Sequence, residues 1–141
     1  MTCWLIDTGP LVAYLDAADP AHARVAPCLD HFAGQLATTS AVITETMYFV
    51  SSNPQGPRLC AEFIVASGTQ VYDFTQPTEL SESVALMERY VDTPMDYADA
   101  TLVLLAEGLG VADVVTLDRR GFAAYRTRQG KSFCLVLDLS T

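Results

Sequence analysis

The chain has 141 residues, half of them hydrophobic, with 17 acidic against 8 basic side chains and a formal net charge of −9. That length suits one domain, 1–141, with room for a proper core. No stretch approaches the roughly 18 apolar residues of a membrane span, and no basic segment precedes an apolar one as in an export signal. A soluble, cytoplasmic protein without a membrane partner is therefore expected.

The negative balance argues at first against a nucleic-acid binder. The bases are unevenly placed, however. Arg119, Arg120, Arg126, Arg128 and Lys131 are five of the eight, and they follow closely on Asp118. This window reads either as a solvated charged face or as a holder of phosphate backbone. Cys3, Cys28, Cys60 and Cys134 are scattered without CxxC spacing, so they read as reduced packing residues. His22 and His31 pair with them at no zinc spacing and read as surface or packing residues.

In chain order, Cys3 to Ile6 predicts a short buried strand ending at Asp7. Thr8-Gly9-Pro10 turns the chain into a helix through Leu15, with Pro10 at its first position. A second helix is expected over about Ala21 to Phe32, and a second strand over Leu36 to Thr39. Ser40 then caps a helix to about Val50 that carries Glu45. After the loop Asn53 to Pro57, a helix runs to Ser67 and a third strand from Gln70 to Phe74. Pro77 opens another helix. Pro94 and Asp96 mark the start of the next, which stops near Gly108 or Gly110. A fourth strand, Asp113 to Leu117, ends at Asp118, and a fifth spans Phe133 to Leu137. Strands alternating with helices predict an α/β fold, a central parallel sheet of about five strands with helices on both faces.

In such sheets ligands collect beyond the carboxyl ends of the strands, and that edge is where Asp7 and Asp118 fall. Each acid also has a plainer role. Asp7 can cap the helix behind it, Glu45 can be a surface glutamate, Asp118-Arg119 can be a turn, and Asp96 can be an N-cap, alone or in addition to binding metal. Asp96 and Asp99 stand three apart and share a helix face; the neighbours Ala98, Ala100 and Leu102 suggest that Asp99 is buried. Thr116 points to the same side as Asp118 and can hydrogen-bond a carboxylate or phosphate, or simply fill its strand position. Asp7-Thr8-Gly9 also spells an aspartic-protease triplet, but those folds are rich in β-structure and this pattern is mostly helical. A phospho-receiver domain is set aside because Asp7 stands alone after the first strand and Asp73 falls inside the third.

Four ionised carboxylates gathered at ~5 Å would repel by about 3 kcal/mol per pair at an effective dielectric near 20, roughly 20 kcal/mol together. That exceeds ordinary fold stability. Either some are protonated or a hard dication with oxygen ligands sits among them. Carboxylates that keep several waters suit Mg2+ or Mn2+. No histidine or serine is placed to do the chemistry instead.

Taken together, Leu5-Ile6-Asp7-Thr8-Gly9-Pro10, Thr39 through Glu45, Pro94-Met95-Asp96-Tyr97-Ala98-Asp99-Ala100, and Val115-Thr116-Leu117-Asp118-Arg119 with Phe122 and Tyr125-Arg126 resemble the PIN-domain nucleases. The closest likeness is to their toxin branch, the VapC-like ribonucleases, and it covers nearly the whole chain. The resemblance implies a PIN-like three-layer sandwich and a Mg2+- or Mn2+-dependent endoribonuclease that hydrolyses RNA phosphodiester bonds. It implies catalytic roles for Asp7, Glu45, Asp99 and Asp118, with metal held by Asp7, Asp99 and Asp118 and Asp96 as a further acid. Glu45 would position or deprotonate water, Thr8 and Thr116 would support the acids, and Arg119, Arg120, Arg126 and Arg128 would meet the RNA backbone. A small antitoxin partner and a homodimer are implied as well. Some members carry another acid just before the phenylalanine, where this chain has Gly121, a departure that bears on a second metal site. The alternatives are a PIN-domain RNA-processing nuclease outside any toxin system and a non-catalytic PIN-like module binding RNA or protein.

Overall fold

Leu5 and Ile6 are wholly excluded from solvent, as consecutive residues must be in a strand covered on both faces. The computed structural model describes residues 1–139. Among them, five strands form one parallel sheet in the order β3-β2-β1-β4-β5. The strands are β1 (Cys3–Ile6), β2 (Gln35–Thr39), β3 (Gln70–Tyr72), β4 (Asp113–Val115) and β5 (Cys134–Leu135). The connecting helices are α1 (Thr8–Leu15), α2 (His22–Asp30), α3 (Ser40–Val50), α4 (Gly56–Ser67), α5 (Pro77–Arg89), α6 (Tyr97–Leu109) and α7 (Arg119–Ala124). The expected α/β fold with a five-stranded parallel sheet is what forms.

The chain builds β1, β2 and β3 outward in one direction, then returns to add β4 and β5 on the other side of β1. The order therefore reverses between β1 and β4, and a crevice opens beyond their carboxyl ends. Ile6 lies opposite Val115, and the Asp7 amide donates to the Val115 carbonyl at 3.0 Å. Residues more than a hundred positions apart are thereby fixed side by side at that edge.

Helix α6 is the centre of the packing. Every residue from Ala98 to Ala106 is buried, so the helix is enclosed on all sides rather than along one stripe. Its polar residues are accounted for: the Thr101 and Thr39 hydroxyls lie 2.8 Å apart, joining α6 to the end of β2. Gly110, with φ of 66°, closes the helix in the left-handed conformation that glycine adopts without penalty. Tyr125, fully buried, packs edge-on against Phe122 and Tyr90. Its hydroxyl donates to the Pro94 carbonyl at 2.7 Å and so pins the loop that leads into α6.

Several local expectations are corrected. Helix α1 begins at Thr8 with Asp7 as its cap, so Pro10 is its third residue, not its first. The cap of α3 is Thr39, whose side chain accepts from the Val42 amide, rather than Ser40. Strand β3 stops at Tyr72, so Asp73 stands beyond it; Ser40 and Thr75 both donate to its carboxylate. Strand β4 ends at Val115, two residues early, because the Asp118 amide turns back onto the Thr116 hydroxyl. Strand β5 keeps only two residues, and Val136–Leu139 winds into a 3-10 turn instead. The sequence pattern predicts no helix over Arg119–Ala124, where α7 forms. Its length of six residues leaves almost no periodicity to read. No helix among the described residues is long and apolar enough to cross a membrane.

Because Leu102 is completely enclosed, Leu102→Ala is expected to cost about 2–5 kcal/mol of unfolding free energy. Urea denaturation followed by circular dichroism will measure it; a cost below about 1 kcal/mol would mean that α6 is not the packed centre.

Candidate active site

The crevice between the ends of β1 and β4 is a cavity of about 530 Å3 whose lining includes Asp7, Glu45, Asp96, Asp99 and Asp118. All five acids singled out in the sequence thus face one space. Asp19 is a sixth. It reads in the sequence only as half of a helix-breaking Asp-Pro pair, and its carboxylate does accept from the Ala21 amide in the turn before α2. Nothing in its local pattern signals the cavity.

Asp7, Asp96, Asp99 and Asp118 are each positioned by the end of an element. Asp7 terminates β1 and caps α1, accepting from its neighbour Thr8's amide at 2.8 Å on one oxygen and from the Thr116 hydroxyl at 2.8 Å on the other. The Thr116 hydroxyl accepts in turn from the Asp118 amide at 3.0 Å, so one side chain organises the acids of two neighbouring strands. Glu45 sits in the second turn of α3, half-buried, with Oε1 taking a 2.7 Å hydrogen bond from the Thr8 hydroxyl. Asp96 is exposed and is indeed the N-cap of α6. Asp99, three residues on, returns the interaction: Asp96 Oδ1 accepts from the Asp99 amide at 2.8 Å, and Asp99 Oδ2 from the Asp96 amide at 3.1 Å. This reciprocal box explains the three-residue spacing without reference to metal, and it also holds both carboxylates at the cavity.

The electrostatics show the crowding. Asp7 and Asp99 are only 7% and 8% exposed. Burial pushes Asp7 up to about 6; the Thr116 and Thr8 hydrogen bonds oppose the rise, while the charges of Asp96 and Glu45 add to it. Asp99 is driven to about 8, first by burial and then by the charges of Asp7 and Asp96. Burial also raises Glu45, against the Thr8 hydrogen bond and together with Asp96. The buried Tyr125 hydroxyl is raised as well, by desolvation and then by Asp99, Asp118, Asp96 and Asp7.

The chemistry of these donors fits a hard dication. They are all carboxylates, and the two most buried are costly to ionise without positive charge nearby. The ligand set is nonetheless unclosed: among the described residues no three acid, histidine or cysteine side chains already form a metal cage. Asp118 Oδ1 is turned to cap α7 through the Gly121 amide at 3.0 Å, and Asp96 and Asp99 each have an oxygen engaged with the other's amide. Gly121 is what permits the Asp118 pose, since a Cβ there would run into Asp118 Oδ2 and crowd the Tyr125 hydroxyl.

The basic window divides. Arg119 pairs with Asp138 at 3.1 Å, and exposed Arg120 has no partner among the described residues; both follow directly on Asp118. Arg126 donates to the Ala123 and Tyr125 carbonyls past the end of α7. Arg128 binds Glu107 at 2.7 Å and Glu82 at 3.4 Å. Glu107 is eight residues along α6 from Asp99, about 12 Å away, so Arg128 braces the opposite end of that helix rather than the crevice. His22 and His31 contact backbone carbonyls of Ala13 and Pro27, and the four cysteines are free thiols.

With this sheet order and this ring of acids, the molecule falls among α/β proteins with an acidic site at the switch point of a parallel sheet. A family model described as "PIN domain" matches residues 4–127, and the chain belongs to the PIN-domain family. It is 32% identical over 133 residues to Ribonuclease VapC26 of Mycobacterium tuberculosis, an alignment spanning 94% of this chain and 98% of that protein. Its fold is also that of Mycobacterium tuberculosis VapC20, described as a sarcin–ricin-loop-cleaving toxin. The TM-score is 0.72 at 17% identity, covering 84% of this chain and 91% of that one.

Since Asp7 and Asp99 hold their protons more tightly when folded than the ordinary carboxylate value of about 3.9, folding is favoured below that value. Stability is lost as pH rises through about 6 and then about 8. In chelator, the melting temperature is therefore expected to fall between pH 5 and pH 9, and Asp99→Asn to flatten the upper part of that slope. A melting temperature that rises with pH over this range would contradict the crowding.

Proposed function

We propose that the chain is a Mg2+- or Mn2+-dependent endoribonuclease, the toxin of a toxin–antitoxin pair. The observation that carries this reading is the convergence of Asp7, Glu45, Asp96, Asp99 and Asp118 on one cavity at the β1–β4 switch point of a PIN-domain chain. The similarity to a relative named a ribonuclease, over nearly the whole length of both chains, supports RNA as the substrate. Dependence on divalent metal is a general property of the family.

In this reading Asp7, Asp99 and Asp118 hold the ion, with Asp96 beside them. When bound, the ion polarises the phosphoryl group and offsets the negative charge that gathers there. The protein supplies the rest. Thr116 holds Asp7 in place and, through the Asp118 amide, sets the turn that presents Asp118. Glu45, held by Thr8 and raised above the ordinary carboxylate range, accepts the proton of the attacking water. Water adds to phosphorus as one ester P–O bond breaks. Arg119 and Arg120, next to Asp118, are the cations best placed to meet the flanking phosphates, and Arg126 and Arg128 are less so. A small antitoxin that covers the site and a homodimeric toxin complete the proposal, together with a cytoplasmic location. The cost of ionising buried Asp7 and Asp99 argues against a module that only binds, because binding gains nothing from that repulsion.

The purified protein with Mn2+ is expected to cleave structured RNA. Asp7→Asn and Asp99→Asn are expected to abolish cleavage, and Glu45→Gln to lower kcat by about 10²–10⁴. Gel analysis of end-labelled RNA reads all four proteins. Equal cleavage by wild type and both asparagine variants would identify a contaminant and remove the assignment. Rescue of growth by co-expressing a small protein from a neighbouring reading frame tests the toxin half of the reading.

A further inference from the structure

We propose that Phe49 is a base-stacking residue of the substrate site, its ring receiving a nucleobase next to the phosphate handled at the acidic cavity. The inference rests on the ribonuclease reading and adds a contact which that reading does not use. Phe49 lies four residues after Glu45 on α3, so the two side chains share a helix face. Both line the cavity that holds the acids. Val42, Thr46 and Val50 turn the buried side of the same helix inward, yet Phe49 is 54% exposed. Its one ring contact among the described residues is edge-on with Tyr48, which is itself 77% exposed. Together with Val12, Phe49 also lines a second, smaller cavity of about 70 Å3, so it borders both spaces.

This placement answers a difficulty of the site. A cavity walled by carboxylates repels a polyanion, and no lysine or arginine is among the residues that line it. An uncharged contact on the α3 side adds affinity that the charges of this lining do not supply. Every nucleobase has a π-face, and the unstacked bases of RNA loops are commonly held on aromatic side chains. Val12 and Leu117 add apolar wall but no ring. A protein partner could cover Phe49 instead; RNA is favoured because the ring shares its cavity with Glu45 and the acids.

Steady-state cleavage of a short single-stranded RNA with Mn2+ tests the proposal. Phe49→Ala is expected to raise KM about 5- to 100-fold with kcat within about twofold. Phe49→Trp should keep the wild-type KM. Phe49→Leu, which preserves apolar bulk without a ring, should behave like the alanine variant. Once the cleavage point is mapped, removing the base at one flanking position should erase the difference between wild type and Phe49→Ala. In parallel, 2-aminopurine at that position, or at each position in turn if no cleavage occurs, should be quenched by wild type and not by Phe49→Ala. An unchanged KM, a loss that persists on the abasic substrate, a leucine variant equal to wild type, or equal quenching by both proteins would overturn the stacking role. So would unaltered RNA kinetics combined with loss of capture by an antitoxin, which would assign the ring to a protein interface. If wild type quenches the probe but cleaves no better than Asp99→Asn, the ribonuclease reading fails while the stacking contact stands.

Discussion

Two aspartates with almost no access to water share one crevice, and the rest of this molecule can be understood from what that costs. Asp7 and Asp99 are each driven upward by desolvation before any neighbouring charge is counted, and Asp99 rises further because Asp7 is near. A fold with only a modest margin of stability keeps such a pair only if surrounding structure leaves it no easier arrangement. Here the constraint is topological. The return of the chain to the far side of β1 sets Asp7 against the end of β4, and the enclosure of α6 fixes Asp99 at the same edge.

The hydrogen bonds around the acids serve two ends at once. Thr116 bonds Asp7 and the turn to Asp118, Thr8 ties Glu45 to α1, and the Asp96–Asp99 box starts α6. The turn at Asp118 and the Asp96–Asp99 box are ordinary local devices, while the Thr8–Glu45 and Thr116–Asp7 bonds join distant parts of the chain; all of them hold a carboxylate of the cavity. Each capping carboxylate commits one oxygen, Asp118 Oδ1, Asp96 Oδ1 or Asp99 Oδ2, to a backbone amide, and its second oxygen makes no such bond.

Much of this was legible in the sequence because the signals were strong and local. Cys3 to Ile6, the alternation of strand and helix, and the spacing of Asp96 and Asp99 lead to the sheet, its edge and the cap of α6. The convergence of Asp7, Glu45, Asp99 and Asp118 followed from strand ends falling on one side of a parallel sheet, together with the likeness to the PIN-domain nucleases. What escaped depended on contacts that leave no periodic trace. Helix α7 is too short to show a pattern, β4 and β5 are cut short by turns set through Thr116 and through the 3-10 winding after Leu135, and Asp19 reaches the crevice from a turn. The basic window looked uniform on paper because charge is visible in sequence and partners are not; only the structure shows Arg128 committed to Glu107 and Glu82.

The absent side chain at Gly121 has a bearing on the last of the acids. The room a Cβ would take is filled by the carboxylate of Asp118 and the phenol of Tyr125. A larger residue at that place would oblige the Asp118 carboxylate or the Tyr125 hydroxyl to shift. The bare backbone at this corner therefore decides where the carboxylate three places earlier can point.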